Sequence, residues 1–159
     1  KTISFDPNYR HLLFGDKKES FIKQSWIFLK QAHFTKLSDE EAMLITGKNS
    51  LEEAAENLLN NIPGVFTITL GKDGTLLGLG GKTYIIPSIQ IKPTDTTGAG
   101  DAFVGAVLYQ LDNASLNPSN LGFEEWNKII QNANKAGART CEYMGAMEAF
   151  KHLNNSIFN

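Results

Sequence analysis

Residues 64–70 constrain the fold most, because Val65, Phe66, Ile68 and Leu70 leave almost no polar position in a run of strand length. A strand that apolar is buried on both faces, and a sheet buried on both faces needs helices to cover it. The flanking sequence offers strands and helices in alternation. Residues 1–5, with Ile3 and Phe5, read as a strand, and a polar loop follows to Gly15. Asp16 with Glu19 then has the form of a capping box before Phe21, Ile22, Trp26 and Leu29 at helical spacing. Residues 32–37 read as extended. Ser38-Asp39-Glu40-Glu41 opens a short helix that stops at Gly47, and Ser50-Leu51-Glu52-Glu53 opens another that carries Ala54, Ala55, Leu58 and Leu59.

Beyond the apolar strand, Lys72-Asp73-Gly74 and Gly80-Gly81 are turn signals on either side of residues 75–79. With residues 83–86 and 89–91 they predict an antiparallel meander at a sheet edge. Helices are predicted over 99–111, 123–141 and 145–153. The class is therefore α/β, with a mostly parallel sheet and antiparallel edge strands. No repeat, linker or low-complexity tract interrupts the chain, so residues 1–159 read as a single domain.

Charge and cysteine content narrow the partners. At 42% hydrophobic the 159 residues suffice for a core, and a net charge of −2 without a basic run gives no footprint for nucleic acid or an anionic membrane. The single cysteine, Cys141, has neither a disulfide partner nor a second thiol for a zinc pair, which points to a reducing, cytoplasmic setting. No apolar run approaches the roughly 20 residues that span a bilayer, and no signal-peptide pattern opens the chain. It starts directly in a strand without Met, and so reads as beginning in mid-fold.

The chemistry lies in Thr94-Asp95-Thr96-Thr97-Gly98-Ala99-Gly100-Asp101-Ala102-Phe103. Two glycines around one small residue, where an extended run meets an apolar helix, let backbone N–H groups converge at the positive end of a helix dipole. An Asp directly after them would repel a phosphate that bound alone. It makes sense if a substrate hydroxyl lies between: Asp101 accepts the proton while the amides of Gly98, Ala99 and Gly100 stabilise a transferring phosphoryl group. By itself such a pattern also fits a glycine loop whose Asp favours a helix N-terminus. Two decoys fail: Gly81-Lys82-Thr83 has Leu76 where a P-loop needs its leading glycine, and Gly98-Ala99-Gly100 has Phe103 where a dinucleotide fingerprint needs its last.

The string DTTGAGDAFVGA, residues 95–106, resembles the second signature of the pfkB (ribokinase-like) carbohydrate kinases, and Val107-Leu108-Tyr109-Gln110-Leu111 extends it as in fructokinases. Phe5-Asp6-Pro7-Asn8-Tyr9-Arg10 is similar to the DPNxR element of fructokinases and 2-keto-3-deoxygluconate kinases. Residues 38–47 resemble the NxxE element and its Thr-Gly ending, with Ser38 in place of Asn, and Thr69-Leu70-Gly71-Lys72-Asp73-Gly74 resembles the TLGxxG strand and turn. The resemblance covers essentially the whole chain but only the C-terminal half of a family member.

It implies a ribokinase-like three-layer α/β/α fold and ATP-dependent phosphorylation of a sugar, most like D-fructose, with 2-keto-3-deoxygluconate as the alternative. It makes Asp101 the general base beside the anion hole of Gly98, Ala99 and Gly100. It assigns Glu41 to Mg²⁺ through water, although Ser38 and Glu41 also form a sound capping box. Thr69, Gly71, Gly74 and Asn134 fall on the ATP side, where a β-turn would also explain Gly74 and helix packing Asn134. Asp95, Thr97 and Gly145, with Ala146, match loops that hold a monovalent cation such as K⁺ in several members. Arg10 sits at a strand end and reads as a contact to phosphate or substrate, the alternative being a surface ion pair. The missing N-terminal half would carry most sugar contacts and the lid that often forms a homodimer. This chain alone is therefore expected to bind nucleotide with little or no turnover. His11, His33 and His152 lack ligand spacing, and Trp26, Trp126 and Cys141 read as packed residues.

Overall fold

The computed structural model describes residues 1–158. They form two compact units, Lys1–Leu70 with Leu76–Tyr84, and Gly71–Thr75 with residues 85–158.

The first unit holds most of the sheet. Strands β1 (Ser4–Phe5), β2 (Phe34–Ser38) and β3 (Val65–Thr69) pair in parallel, and β4 (Thr75–Leu79) and β5 (Lys82–Ile86) complete the order β1-β2-β3-β4-β5. The links at residues 70–74 and Gly80-Gly81 are too short for a crossover, so β4 and β5 run antiparallel to their predecessors and the sheet is mixed. Helices α1 (His11–Phe14), α2 (Lys18–Leu29), α3 (Asp39–Thr46) and α4 (Leu51–Asn61) connect the parallel strands.

Register fixes the core. Leu37 pairs with Ile68 and Thr35 with Phe66, so these side chains share one face of the sheet. Phe21 and Leu29 of α2, Ala42 and Ile45 of α3, and Ala54, Ala55 and Leu58 of α4 join Leu37, Phe66 and Ile68 in one apolar cluster. Each large side chain buried there stabilises the fold by about 1.5–3 kcal/mol. The opposite face carries Phe34, Lys36 and Thr67, all buried, and Lys36 is the one charged residue among them.

In the second unit α5 (Ala99–Asn113) packs against α6 (Phe123–Thr140). Helix α5 buries Phe103, Ala106, Val107 and Leu111; α6 buries Trp126, Ile129, Ile130 and Ala133. No helix among the described residues is long and apolar enough to cross a membrane.

Three sequence expectations are corrected. The Asp16/Glu19 box does not cap α2: residues Gly15–Lys17 form a 3₁₀ turn, and Lys17 takes the N-cap without a side-chain bond. The ring of Phe14, stacked on Tyr9 and tilted against Phe21, draws the chain into the core just before the point where the box would start. No strand forms over 89–91, where the chain has left the sheet edge at β5. The predicted helix over 145–153 is reduced to a 3₁₀ turn at Glu148–Lys151. Gly145 has a left-handed φ of +79° and gives its N–H to Asp95, and Met144, Met147 and Phe150 are exposed, so the segment has no apolar face to bury as a helix.

Candidate active site

In the second unit the Asp95–Asp101 segment is tied down before it enters α5. Thr94 N and Asp95 N both donate to Cys141 O, at 2.7 and 3.2 Å. Asp95 Oδ1 accepts from Thr97 N at 2.9 Å and Thr97 Oγ1 at 2.7 Å, while Oδ2 accepts from Gly145 N at 2.8 Å. The bonds from Thr97, and then that from Gly145, hold the Asp95 carboxyl below the usual range, so it stays ionised. The structure thus brings together Asp95, Thr97 and Gly145.

Gly98 is the N-cap of α5 in the left-handed region, φ +85°. A Cβ there would lie 2.9 Å from Ala146 Cβ and 3.0 Å from its Cα, so both conformation and space call for glycine. Ala99 N is already bonded to Thr96 O at 3.2 Å. The N–H groups of Gly100 and Asp101, in the first helical turn, have no partner among the described residues and point to the anion-favouring helix end. Asp101 itself is exposed and its carboxylate has no hydrogen bond or ion pair there. A carboxylate with free oxygens thus stands beside unpaired amides among the described residues.

A buried polar hub lies elsewhere in this unit. Thr75 Oγ1 donates to Asn134 Oδ1 at 2.6 Å, and Asn134 Nδ2 donates to Ile86 O at 3.0 Å and Pro87 O at 3.3 Å. Asn134 therefore acts on the backbone at 86–87 through its amide. Gly71 (φ +59°) begins a 3₁₀ turn that ends before Gly74 (φ +102°), where a Cβ would fall 2.2 Å from Ile86 O. The turn and the hub meet on the same stretch of chain.

In the first unit Glu41 plays two parts. Its backbone N donates to Ser38 Oγ at 3.1 Å, and its Oε2 accepts from Ser38 N at 2.8 Å, completing the capping box of α3. Its Oε1 accepts from Tyr9 N at 2.6 Å, which ties the loop after β1 to the start of α3. Lone pairs remain on both oxygens, as water-mediated magnesium binding requires. Arg10 is exposed, and its guanidinium has no ion pair among the described residues, so the surface-pair alternative is not formed. Thr69 Oγ1 donates to Leu37 O at 3.3 Å.

Sequence reasoning missed Lys36 and Thr75 as parts of these clusters. Lys36 Nζ lies 3.5 Å from Asp6 Oδ2, and burial lifts the Asp6 carboxyl above its ordinary range, with Lys36 opposing and Glu41 adding to the rise. A lysine inside the otherwise uncharged strand Phe34-Thr35-Lys36-Leu37 was the available signal. Among the described residues no group of three or more His, Cys, Asp and Glu side chains could hold a metal ion.

The pfkB family carbohydrate kinase description matches residues 1–153. Fructokinase-1 of Oryza sativa subsp. japonica is 33% identical over 148 residues, 91% of this chain and 44% of that protein. The crystal structure of fructokinase from Vibrio cholerae O395 with fructose, ADP and calcium has a TM-score of 0.84 at 32% identity, covering 99% of this chain and 49% of that one. A double mutant of the same enzyme, holding fructose, ADP and potassium, has a TM-score of 0.80 at 31% identity, again covering 99% and 49%. Aminoimidazole riboside kinase from Salmonella enterica, with aminoimidazole riboside and an ATP analogue, gives 0.79 at 30% identity over 99% of this chain and 52% of that one. The chain spans about half the length of the relatives it matches.

Proposed function

The chain belongs to the pfkB family of carbohydrate kinases, and from that premise we propose that it supplies the nucleotide-binding and catalytic portion of an ATP-dependent sugar kinase whose preferred substrate is D-fructose. The observation that carries the reading is the exposed, unpaired Asp101 in the first turn of α5, beside the open N–H groups of Gly100 and Asp101. A sugar hydroxyl at Asp101 loses its proton to the carboxylate as its oxygen bonds the γ-phosphorus. The bond from that phosphorus to the β,γ-bridging oxygen breaks, and ADP leaves. Backbone donors at a helix N-terminus favour the charge on the moving group without reorganising.

The sequence placed Gly98, Ala99 and Gly100 in the anion hole. With Ala99 N bonded to Thr96 O, our reading assigns the donor role to Gly100 and Asp101 and gives Gly98 the turn that aims them. Glu41 would hold Mg²⁺ through water, and the lack of a three-ligand protein cage among the described residues suits an ion carried chiefly by phosphate oxygens. Bound there, Mg²⁺ neutralises phosphate charge. The ionised Asp95, with Thr97 and loop carbonyls, is an oxygen set suited to K⁺. Thr69, Gly71 and Gly74 line the nucleotide, Asn134 supports it by fixing residues 86–87, and Arg10, free of any ion pair among the described residues, reaches the phosphate or sugar.

The fructose-bound relative supports fructose, and the riboside kinase marks nucleoside-like sugars as the competing class. A panel of D-fructose, 2-keto-3-deoxygluconate and ribosides, read as MgATP-dependent ADP release by the full-length protein, separates them; fructose is expected to give the highest kcat/KM, and preference for another member of the panel would reassign the substrate. A cytoplasmic homodimer, independent of nucleic acid and membrane, completes the proposal, and sedimentation of the full-length protein tests the dimer. A second reading, nucleotide binding without turnover, applies to this chain alone, because it covers 44% of its plant relative.

A further inference from the structure

Two side-chain contacts tie residues 6–10 to β2 and α3, beside the packing of the Tyr9 ring on Phe14 and Phe21. One is the bond from Tyr9 N to Glu41 Oε1 at 2.6 Å. The other joins Asp6 Oδ2 to Lys36 Nζ at 3.5 Å, both side chains largely buried at 19% and 10% exposure. The second oxygen of Asp6 is engaged separately, because Oδ1 accepts from Asn8 N at 3.2 Å and closes a turn in which Asn8 takes a left-handed φ of +49°. Arg10 follows directly. Asp6 therefore shapes the turn with one oxygen and moors it to β2 with the other.

A buried ion pair is a poor device for stability, since apolar residues of similar volume often do as well or better. Its benefit is placement. Two carboxylates, Asp6 and Glu41, also share this small volume, and Asp6 responds to the charge of Glu41. Lys36 is the cation that faces Asp6 there. It does so from β2 just past the last residue paired with β1, where its register partner is Thr67 of β3.

We infer that Lys36 and Asp6 form a positioning pair that holds the 6–10 loop, so that Tyr9 N pins the Glu41 carboxylate and Arg10 is presented at the strand ends. Neither residue touches the reacting atoms. The kinetic side of the inference rests on the kinase reading above; the structural side does not.

The test uses the full-length protein and the variants K36M, K36R and D6N/K36M, the last removing both charges in case K36M alone fails to fold. Hydrogen exchange is read at the Tyr9 amide, with β3 amides as an internal control. In K36M and D6N/K36M the Tyr9 amide is expected to exchange at least about tenfold faster while β3 is unchanged. The Mg²⁺ concentration for half-maximal activity is expected to rise roughly 10- to 100-fold, the usual effect of losing a residue that orients a metal-side carboxylate, with the sugar KM within about twofold of wild type. K36R should recover most of both. Wild-type protection at Tyr9 in D6N/K36M, or an unchanged Mg²⁺ dependence, would overturn the inference. A wild-type protein without sugar-dependent turnover would overturn the kinase reading instead, and the exchange result would still decide whether the pair holds the loop.

Discussion

Asn134 illustrates how a single buried amide can act far beyond its size. It satisfies Thr75 Oγ1 and the carbonyls of Ile86 and Pro87, and its own donors and acceptor are used in doing so. Asn134→Ala leaves those groups without partners inside the protein, which is expected to destabilise the fold by about 2–4 kcal/mol. Urea unfolding should show a lower midpoint at an unchanged slope. Cys141 gives a second prediction at this scale. Burial, with the nearby negative charges of Asp95 and Glu142, pushes its thiol above the ordinary range, so at pH 8 the folded protein holds less thiolate than the unfolded chain. Iodoacetamide should label folded protein at least about tenfold more slowly than urea-unfolded protein, and equal rates would contradict the packing described. The candidate residues were legible in the sequence wherever a motif is contiguous, as in the run from Asp95 to Asp101. Lys36 and Thr75 were not, because their partners lie 30 and 59 residues away in the chain and only the folded register brings them together.

At the level of elements, the capping box of α3 is structural, the proposed function adds a role at Mg²⁺ for its Glu41, and the two can be separated. Ser38→Ala removes the acceptor for Glu41 N and is expected to cost about 1 kcal/mol of stability with kcat nearly unchanged. Glu41→Ala removes the same box from the other side, together with the mooring of Tyr9 N. It is expected to cost comparable stability and, in addition, to lower kcat/KM for MgATP by roughly 10- to 100-fold. Equal kinetic effects in the two variants would reduce Glu41 to a helix cap. The box at Ser38 and the N-cap at Ser50 could be read from sequence because a cap is settled within one turn of chain, although Glu53 Oε2 takes Asn49 N and leaves the second box open. Asp16 and Glu19 offer the same spacing and fail, since the aromatic cluster of Tyr9, Phe14 and Phe21 fixes the preceding backbone through tertiary packing. The stretch after Gly145 fails for a related reason. Gly145 takes a left-handed φ of +79° where its N–H meets Asp95, a partner 50 residues away, and Met144, Met147 and Phe150 stay exposed.

On the scale of the whole molecule, the alternation of strands and helices was legible because burial on both faces leaves a mostly apolar strand without charge, as at Val65–Thr69. The antiparallel edge was legible too, since links as short as Gly80-Gly81 admit no other pairing. Sugar preference was not legible, because no residue of this chain identifies the side chains that would orient the sugar. The chain by itself is expected to bind MgATP in calorimetry and to release no sugar-dependent ADP; turnover by the 159-residue species, confirmed by intact mass, would overturn that division of labour. The account stands or falls on Asp101. The most direct test is fructose-dependent ADP release from MgATP by the full-length protein beside its Asp101→Asn variant, with nucleotide affinity measured in parallel. The account predicts that the variant keeps nucleotide affinity and loses roughly 10²- to 10⁴-fold in kcat, the range expected for removing a positioned general base. Wild-type turnover in the variant would contradict it.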